Sequence, residues 1–498
     1  MGAPSSRSSR ETEPGAGNAA CRTSLLTRRR FLNVAGVAAG APLILRSGLR
    51  AASPNGKLQH ACIGVTRMGG NDLKNFLGND RVEIVALCDV DSAHLEEAAK
   101  QVPNARRYTD WREMFATEGD KIDSVNVTTP DHMHFPIAHE ALRLGKHVYC
   151  QKPMCHDIAE VRLLTEFATQ KGVVTQLGTQ HASKIGDRMM VRYMQDGVIG
   201  KIKRAYLCTN RPAPNRLGGP RPAVGQQAPP ELNWEQWIGT APMRPFVPEI
   251  YHPARWRAWR DFSTSWVGDM GCHLMDATWR ALGLKAPKSV IAEVDWVWKE
   301  EATWRALDAK SSQPMASEIE VLKESATERQ KENWPLSDHV TWTFAGGPLV
   351  DGGEMVIEWF DGEFLPPEDV RAMDPSGKFP SEGTLVVGTE GALLQRTGGA
   401  PMLLPREKFQ AHPKPDLPPR DHYEHFVDAC LGKAKTESHF AQTGPMTEAI
   451  LLASIAIRNP GQRLDWEAAT MKIPNFPDAE RFLRRGYRNG WAVSGAPF

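Results

Sequence analysis

Short apolar runs alternate with helix-like segments over residues 60–178. The runs that we predict to form strands are residues 61–65, 82–88, 122–127, 148–150 and 173–178. The segments between them have apolar residues at helical spacing and are long enough for a helix with its turns. Strands that alternate with helices in this way are typical of a parallel, doubly wound sheet.

Four of the predicted strands end at a glycine or a polar residue, namely Gly64, Asp89, Thr129 and Lys152. The carboxyl ends of parallel strands meet at one edge of the sheet, and ligands of such sheets bind beyond that edge. Packing of a core does not explain polar groups at four strand ends. The pattern therefore predicts a ligand cleft at this edge.

A different pattern follows residue 180. Residues 339–344 and 354–360 alternate between apolar and polar positions, which favours antiparallel strands with one covered face. Residues 383–388 form a further strand-like run. Helices predicted over residues 423–431 and 446–457 are candidates to cover one face of this sheet. We expect a first α/β domain over residues 53–180 and a second α/β domain, with a mostly antiparallel sheet, over residues 181–498.

Two segments interrupt the second domain. Residues 300–335 are charged and are interpreted as an inserted, solvated helix or loop. Residues 211–262 are rich in Pro, Arg and Trp, and we interpret them as an ordered excursion over the cleft. Tryptophans that stack on pyranose rings would suit a carbohydrate, but a proline-rich packing arm explains the same composition. These tryptophans are Trp234, Trp237, Trp256 and Trp259.

The first 52 residues differ from the rest in charge. They hold 8 Lys/Arg and 2 Asp/Glu, so the formal charge of +1 becomes −5 when they are removed. That balance excludes the basic footprint of a nucleic-acid-binding protein. Residues 27–33, Thr-Arg-Arg-Arg-Phe-Leu-Asn, are close to a twin-arginine export motif.

The mildly apolar stretch after this motif, residues 31–45, is shorter than the ~20 residues that a membrane-spanning helix needs. We therefore predict a twin-arginine signal peptide and leader over residues 1–52, a periplasmic or secreted protein, and no stable membrane insertion. A disordered basic leader with a chance arginine triplet is the alternative. Seven of the eight cysteines lie beyond the leader, several in apolar runs, which favours buried thiols over disulfides.

The turn after the first strand reads Gly64-Val65-Thr66-Arg67-Met68-Gly69 and departs from the dinucleotide fingerprint G-x-G-x-x-G at Thr66. Arg67 adds a cation at a helix N-terminus, which itself favours anions. Asp89 suits an acceptor for ribose hydroxyls, and its charge disfavours a 2′-phosphate, so NAD is predicted in preference to NADP. An ordinary strand-to-helix turn with a capping Asp is the alternative.

Lys152, Asp269 and His273 are candidate proton-transfer groups. Lysine is seldom buried without a role, and a desolvated lysine loses its proton more readily. Asp269 and His273 are four residues apart, so on a helix they share a face, and a His beside a carboxylate can move protons. An N-capping Asp and a packed core His explain the same pair. The pair is too sparse for a metal site, and no metal is predicted.

Together these motifs resemble the Gfo/Idh/MocA oxidoreductases, a family named for glucose–fructose oxidoreductase and inositol dehydrogenase. The resemblance runs from about residue 58 to the C-terminus, outside the two interruptions. It rests on the turn at Gly64, Cys88-Asp89, Thr129-Pro130-Asp131-His132-Met133-His134, Gly145-Lys146-His147-Val148, Lys152-Pro153 and Asp269-Met270-Gly271-Cys272-His273. It implies a Rossmann domain followed by an α/β domain with an open, mostly antiparallel sheet.

The resemblance also implies roles for single residues. His273 would be the general base on the reacting hydroxyl, Lys152 would hydrogen-bond substrate and cofactor, and Asp269 would orient substrate or His273. The family's usual glutamate before the lysine is Gln151 here, which removes a charge beside Lys152. The expected cofactor contacts are Gly64, Thr66, Arg67, Met68, Gly69, Asp89, Thr129, His134 and Lys152.

The resulting expectation is an exported NAD-dependent oxidoreductase that acts on a CH–OH group of a sugar or cyclitol. Free NAD is scarce outside the cytoplasm, so such an enzyme would gain by keeping its cofactor and returning the hydride within each cycle. An NAD-dependent glycosidase or epimerase, and a non-catalytic carbohydrate- or dinucleotide-binding protein, are the alternatives. From the family we expect a homodimer or homotetramer.

Overall fold

The computed structural model describes residue 2 and residues 56–210, 216–309 and 316–496. The predicted twin-arginine motif lies outside the described residues, as do residues 211–215 of the excursion. All the elements below belong to the unit of residues 51–498.

Six parallel strands form the first sheet, in the order β3-β2-β1-β4-β5-β6. The strands are β1 Leu58–Ile63, β2 Val82–Cys88, β3 Arg106–Tyr108, β4 Ser124–Val127, β5 His147–Cys150 and β6 Thr175–Leu177. Strand β1 pairs in parallel with both β2 and β4, so the strand order reverses at β1. The doubly wound sheet is therefore confirmed, and its ligand crevice is expected beyond the carboxyl end of β1.

Five helices connect these strands. They are α1 Met68–Leu77, α2 Ser92–Ala99, α3 Trp111–Glu118, α4 His134–Arg143 and α5 Ile158–Lys171. Side-chain caps begin three of them: Asp91 accepts from Ala93 N and His94 N, Asp110 accepts from Arg112 N, and Asp157 forms a capping box with Glu160. These caps satisfy amide donors that the first helical turn leaves free. Beyond β6, α6 covers Ile185–Gln195.

The second sheet has eight strands in the order β13-β12-β11-β7-β10-β9-β8-β14. They are β7 Ile202–Thr209, β8 Ser289–Asp295, β9 Ser337–Ala345, β10 Glu354–Asp361, β11 Glu382–Gly388, β12 Ala392–Arg396, β13 Met402–Leu404 and β14 Leu464–Asp465. Only β7 and β10 pair in parallel among these neighbours. The prediction of a mostly antiparallel second sheet is confirmed.

The remaining helices follow β7 in the chain. They are α7 Trp234–Ile238, α8 Ser265–Leu274, α9 Asp276–Leu282, α10 Glu301–Asp308, α11 Ala316–Glu324, α12 Ala326–Arg329, α13 Glu368–Arg371, α14 Arg406–Phe409, α15 His422–Cys430 and α16 Phe440–Ile457. Helix α16 packs against β8, β9, α5 and α8. It is the one helix in the described ranges that is long and apolar enough to cross a membrane, but 83% of it is buried inside the protein, as expected of a core helix.

Two expectations for this half of the chain were wrong. Helix α15 does not cover the second sheet, because Tyr423 and Phe426 pack with Phe76 and Tyr149 of the first domain. An apolar stripe along a helix indicates that this face is buried, but it does not indicate which sheet the face packs against. The charged insertion is also not simply solvated: Trp304 and Leu322 are buried and pack with other apolar side chains in a small core of their own.

Candidate active site

The turn between β1 and α1 needs two of its glycines for close backbone packing. Gly64 has φ +80°, and a Cβ there would lie 2.2 Å from Thr128 O. A Cβ at Gly69 would lie 2.1 Å from Gly64 O. Thr66 and Arg67, between these glycines, line the cleft at the N-terminus of α1. The turn therefore keeps the shape that the fingerprint requires despite the threonine.

Asp89 lies at the end of β2 and is held by the backbone. Its Oδ2 accepts from Val65 N at 3.0 Å and its Oδ1 accepts from Asp91 N at 3.0 Å. Burial raises the pKa of the Asp89 carboxyl, while these two hydrogen bonds act in the opposite direction. The carboxyl lines the cleft, and each oxygen has a second lone pair that can accept from a ribose hydroxyl.

Lys152 and Asp269 form an ion pair that joins the two domains. Lys152 Nζ lies 2.7 Å from Asp269 Oδ1 and 2.8 Å from Asp269 O, and both side chains are largely buried. Arg257 Nε, from the excursion, is 3.5 Å from the same carboxylate oxygen. Burial alone would raise the pKa of the Asp269 carboxyl, but the charges of Lys152 and Arg257 hold it well below its usual range. Asp269 therefore acts as a fixed anion that orients Lys152.

His273 lies one turn after Asp269 on α8 and lines the same cleft. Its Nδ1 is buried and has no hydrogen-bond partner among the described residues. Burial, and then the positive charge of Lys152, lower the pKa of His273 well below its usual value. The imidazole is therefore neutral at neutral pH and can accept a proton. The His181 ring lies 4.8 Å away, and burial lowers its pKa to about 4.

Thr129 and His134 have different positions. Thr129 lines the cleft, and its buried Oγ1 has no hydrogen-bond partner in the described part of the chain. His134 is buried behind the cleft wall: Nδ1 is 2.7 Å from Pro153 O and Nε2 is 2.8 Å from Thr129 O. It thus ties the loop after β4 to the segment that carries Lys152. His134 therefore supports the backbone on either side of it, and its side chain does not line the cleft.

Gln151, which replaces the family's usual glutamate, does not contact Lys152 in the described hydrogen bonds. Its Nε2 donates to both oxygens of Asp72, at 3.1 and 3.0 Å. Asp72 also accepts from Thr128 Oγ1 and Tyr423 OH, each at 2.7 Å. Burial raises the Asp72 pKa to about 6, against the effect of these three donors. A buried carboxylate therefore stands next to residue 151, and the amide at 151 satisfies it.

The excursion covers the cleft, as the sequence predicted. Two of its four tryptophans, Trp237 and Trp256, line the cavity, which has a volume of about 520 Å³. Trp234 stacks on Trp237 at 4.8 Å, and Trp259 is buried beneath Tyr251, so these two support the wall. Trp234 and Trp259 therefore serve packing, as the packing-arm interpretation expects, whereas Trp237 and Trp256 face the cavity.

The cavity brings together every predicted site residue except His134: Gly64, Thr66, Arg67, Met68, Gly69, Asp89, Thr129, Lys152, Asp269 and His273. Sequence reasoning missed Gln180, Gln236, His252 and Arg257, which also line it. The last three lie within the excursion, whose composition was the only available signal. The unpartnered Oγ1 of Thr129, the glycine turn and the Asp89 carboxyl fit a dinucleotide at one end of the cavity.

Comparison with known families matches the first domain and part of the second. A profile described as "Oxidoreductase family, NAD-binding Rossmann fold" matches residues 58–179, and one described as "Oxidoreductase family, C-terminal alpha/beta domain" matches residues 218–314. Both profiles belong to the Gfo/Idh/MocA group. The first domain is therefore an NAD-binding Rossmann fold.

Curated relatives are distant and are matched over part of their length. A glycosyl hydrolase family 109 protein of Shewanella pealeana is 26% identical over 204 residues, which are 36% of this chain and 44% of the relative. A D-glucoside 3-dehydrogenase of Escherichia coli is 25% identical over 245 residues, 49% of this chain and 59% of the relative. In both cases the chain spans less than two thirds of the relative's length.

Solved structures extend the likeness to the whole fold. The WlbA dehydrogenase of Bordetella pertussis, solved with NADH and UDP-GlcNAcA, has a TM-score of 0.54 at 14% identity. The alignment covers 82% of this chain and 99% of that protein. The two consecutive domain matches identify residues 58–179 and 218–314 as domains of the Gfo/Idh/MocA oxidoreductase family.

Proposed function

We propose that the protein is an NAD-dependent oxidoreductase that acts on a CH–OH group of a sugar or cyclitol. The observation that carries the proposal is the continuity of one cavity. It joins the glycine turn and Asp89 at one end to Lys152, Asp269 and His273 at the other. Dinucleotide-binding groups and a proton-transfer group therefore face the same space.

Each end of the cavity has a distinct role in this proposal. The turn from Gly64 to Gly69 and the N-terminus of α1 hold the pyrophosphate of NAD, and Asp89 holds the adenosine ribose. Bound NAD supplies the acceptor for the hydride that leaves the substrate carbon. The charge of Asp89 favours NAD over NADP, because a 2′-phosphate would lie against a carboxylate.

The proton chemistry falls to residues of the second domain and to Lys152. His273, which is neutral, takes the proton of the reacting hydroxyl as general base. Lys152 donates a hydrogen bond to the oxygen of that hydroxyl and stabilises the negative charge that develops there. Asp269 holds Lys152 in place through its Oδ1 at 2.7 Å and its backbone oxygen at 2.8 Å, which leaves the third ammonium proton to donate.

Two measurements test this proposal. Mass analysis of the gently purified protein should find NAD(H), and none would favour a non-catalytic binding protein. Incubation with a panel of sugars, cyclitols and glycosides, followed by the absorbance of reduced nicotinamide, should identify a substrate. His273→Gln should lose turnover but keep NAD binding, whereas His412→Gln, at an exposed histidine, should change neither.

We further propose export through the twin-arginine pathway with redox-neutral turnover. The motif at residues 28–30 supports export. An exported enzyme with little free NAD around it is favoured to return the hydride to its own product. Cell fractionation tests the proposed export. It compares cells that express the full chain with cells that express the Arg28→Lys, Arg29→Lys, Arg30→Lys variant. Retention of the native chain in the cytoplasm would contradict it.

A second candidate is a glycosidase that oxidises its substrate transiently. The similarity to the glycosyl hydrolase family 109 protein of Shewanella pealeana favours it. The glycoside panel separates the two, because released sugar without net reduced cofactor indicates the glycosidase. A homodimer or homotetramer is also proposed, and light scattering of the purified protein tests it.

A further inference from the structure

A cluster of possible metal ligands lies at the end of the cavity that holds Asp89. Asp91, His94 and His252 each offer one ligand atom, and these three atoms lie within 4.8 Å of one another. Asp91 and His94 lie at the start of α2 in the first domain, whereas His252 lies in the excursion. None of the three serves the proton chemistry proposed above.

The spacing is close to that of a bound zinc ion. Zinc–nitrogen bonds of about 2.0 Å in a tetrahedron place neighbouring ligand atoms ~3.3 Å apart. Asp91 Oδ2 and His94 Nδ1 are already 3.4 Å apart. The His252 ring would have to approach these two atoms by only about 1.5 Å, which a loop residue can supply.

The ligand atoms of the first domain are free for this role. Asp91 uses Oδ1 to cap α2 through Ala93 N and His94 N, which leaves Oδ2 to face His94. His94 Nδ1 is buried and makes no hydrogen bond within the described residues, although its side chain is 34% exposed. A buried ring nitrogen without a partner is costly, and a cation would satisfy it.

The local charges also favour a cation. His252 offers an imidazole nitrogen from the excursion side of the cluster. Asp91 supplies one negative charge, and the Asp89 carboxyl accepts from the Asp91 amide. Arg67 lies near His252 and opposes a cation, but it is exposed and screened by solvent. Two imidazoles and a carboxylate with an open fourth position are a typical zinc donor set.

We propose that Asp91, His94 and His252 form a zinc site that pins the excursion to the first domain, with its fourth position open to the cavity. Nearby contacts show that the two segments already meet here: Ser92 N donates to Glu231 O and Asn233 N donates to Val90 O, each at 2.8 Å. The zinc ion would add a side-chain link to these backbone links.

Zinc binding to the untagged protein, stripped with a chelator, is the first test. Isothermal titration should give one zinc per chain with a Kd below about 1 µM. Replacement by Co²⁺ should give the visible absorption of a four-coordinate ion. No saturable zinc binding would overturn the proposal.

Variants then identify the ligands. His94→Ala and His252→Ala should each weaken zinc binding by at least ~10-fold, and His412→Ala, at an exposed histidine, should not. Asp91→Asn keeps an oxygen that can cap α2 but removes the charge, so it should weaken zinc binding while the metal-free melting temperature stays close to that of the native protein. Unchanged affinity in both histidine variants would overturn the assignment.

Hydrogen exchange tests whether zinc holds the excursion against the first domain. Zinc should slow exchange of amides over residues 226–254 in the native protein and not in His252→Ala. Equal exchange with and without zinc in the native protein would overturn the pinning. Circular dichroism of each variant without zinc shows whether it is folded, and His94→Ala, on the helix surface, is the variant that least disturbs packing.

Discussion

Gln151 and Asp72 form a buried pair in which one amide nitrogen lies 3.1 and 3.0 Å from the two oxygens of one carboxyl. Asp72 lies in α1 and Gln151 follows β5, so the pair links the helix of the glycine turn to the segment that carries Lys152. Tyr423, from α15, adds a third partner to the same carboxyl. The amide at position 151 is therefore matched to an acid at position 72, and Asp269 supplies the carboxylate that faces Lys152.

Gln151→Glu should destabilise the protein at neutral pH, because it would bury a second carboxylate against Asp72. We expect a loss of about 2–4 kcal/mol in the free energy of unfolding. Denaturant unfolding of the native protein and the variant measures it. Gln101→Glu, at an exposed glutamine, controls for the added charge and should change stability by less than about 0.5 kcal/mol.

The double variant Asp72→Asn, Gln151→Glu completes the experiment. It exchanges the acid and the amide between the two positions and should recover most of the stability that Gln151→Glu loses. A double-mutant cycle gives the coupling free energy between the two positions. Two losses that simply add would contradict a direct interaction.

The stability of the protein should fall as the pH rises through the titration of Asp72. Burial raises the Asp72 pKa from 3.8 to about 6, so the folded state binds this proton more tightly than the unfolded state. The stabilising contribution is fully present below pH 3.8 and is lost as the pH approaches 6, by about 3 kcal/mol at most. Asp72→Asn removes the titration.

The measurement is the difference in unfolding free energy between the native protein and Asp72→Asn from pH 4 to pH 7. The difference should change in favour of the Asn variant as the pH rises, while other titrating groups cancel. A difference that is constant over this window would mean that Asp72 titrates alike in both states.

Some of these features were predictable and others were not, for definite reasons. The period of two in β9 and the spacing of Asp269 and His273 are local properties, and the structure has both. The one covered face predicted for β10 was wrong, because residues 357–361 are buried on both faces of the sheet. The Gln151–Asp72 pair joins positions 79 residues apart and depends on how α1 packs beside β5. Helix α15 was assigned to the wrong sheet for a similar reason. Its apolar residues predict a buried face but not the element that this face packs against.

If His273 is the general base, kcat/KM should stay nearly constant from pH 8 down to pH 6.5, the ordinary His pKa, and fall only at lower pH. Burial and the charge of Lys152 lower the pKa of His273, and the neutral imidazole is the active form. Protonation below that pKa removes the base, so the acid limb reports the titration.

Asp269→Asn provides the second measurement for His273. The charge of Asp269 raises the His273 pKa, so its removal should move the acid limb to still lower pH, apart from any loss of rate. The pH–rate profiles of the two proteins on one substrate measure this shift. An acid limb of the native profile at or above pH 6.5, the ordinary His pKa, would contradict the assignment.

Asp89→Asn should weaken NAD binding and reduce the discrimination against NADP. The Asn oxygen can replace one of the two acceptors that hold Val65 N and Asp91 N, so the turn should persist. Loss of a charged acceptor for ribose hydroxyls costs about 1.5–3 kcal/mol, or at least ~10-fold in Kd for NAD. NADP should bind more tightly than to the native protein, because the repulsion between the carboxylate and a 2′-phosphate is removed. Titration calorimetry with both cofactors gives the two ratios, with Asp80→Asn, at an exposed aspartate, as the matched control. If the Kd values for NAD and NADP change by the same factor in the variant, Asp89 shapes the turn and does not bind the ribose.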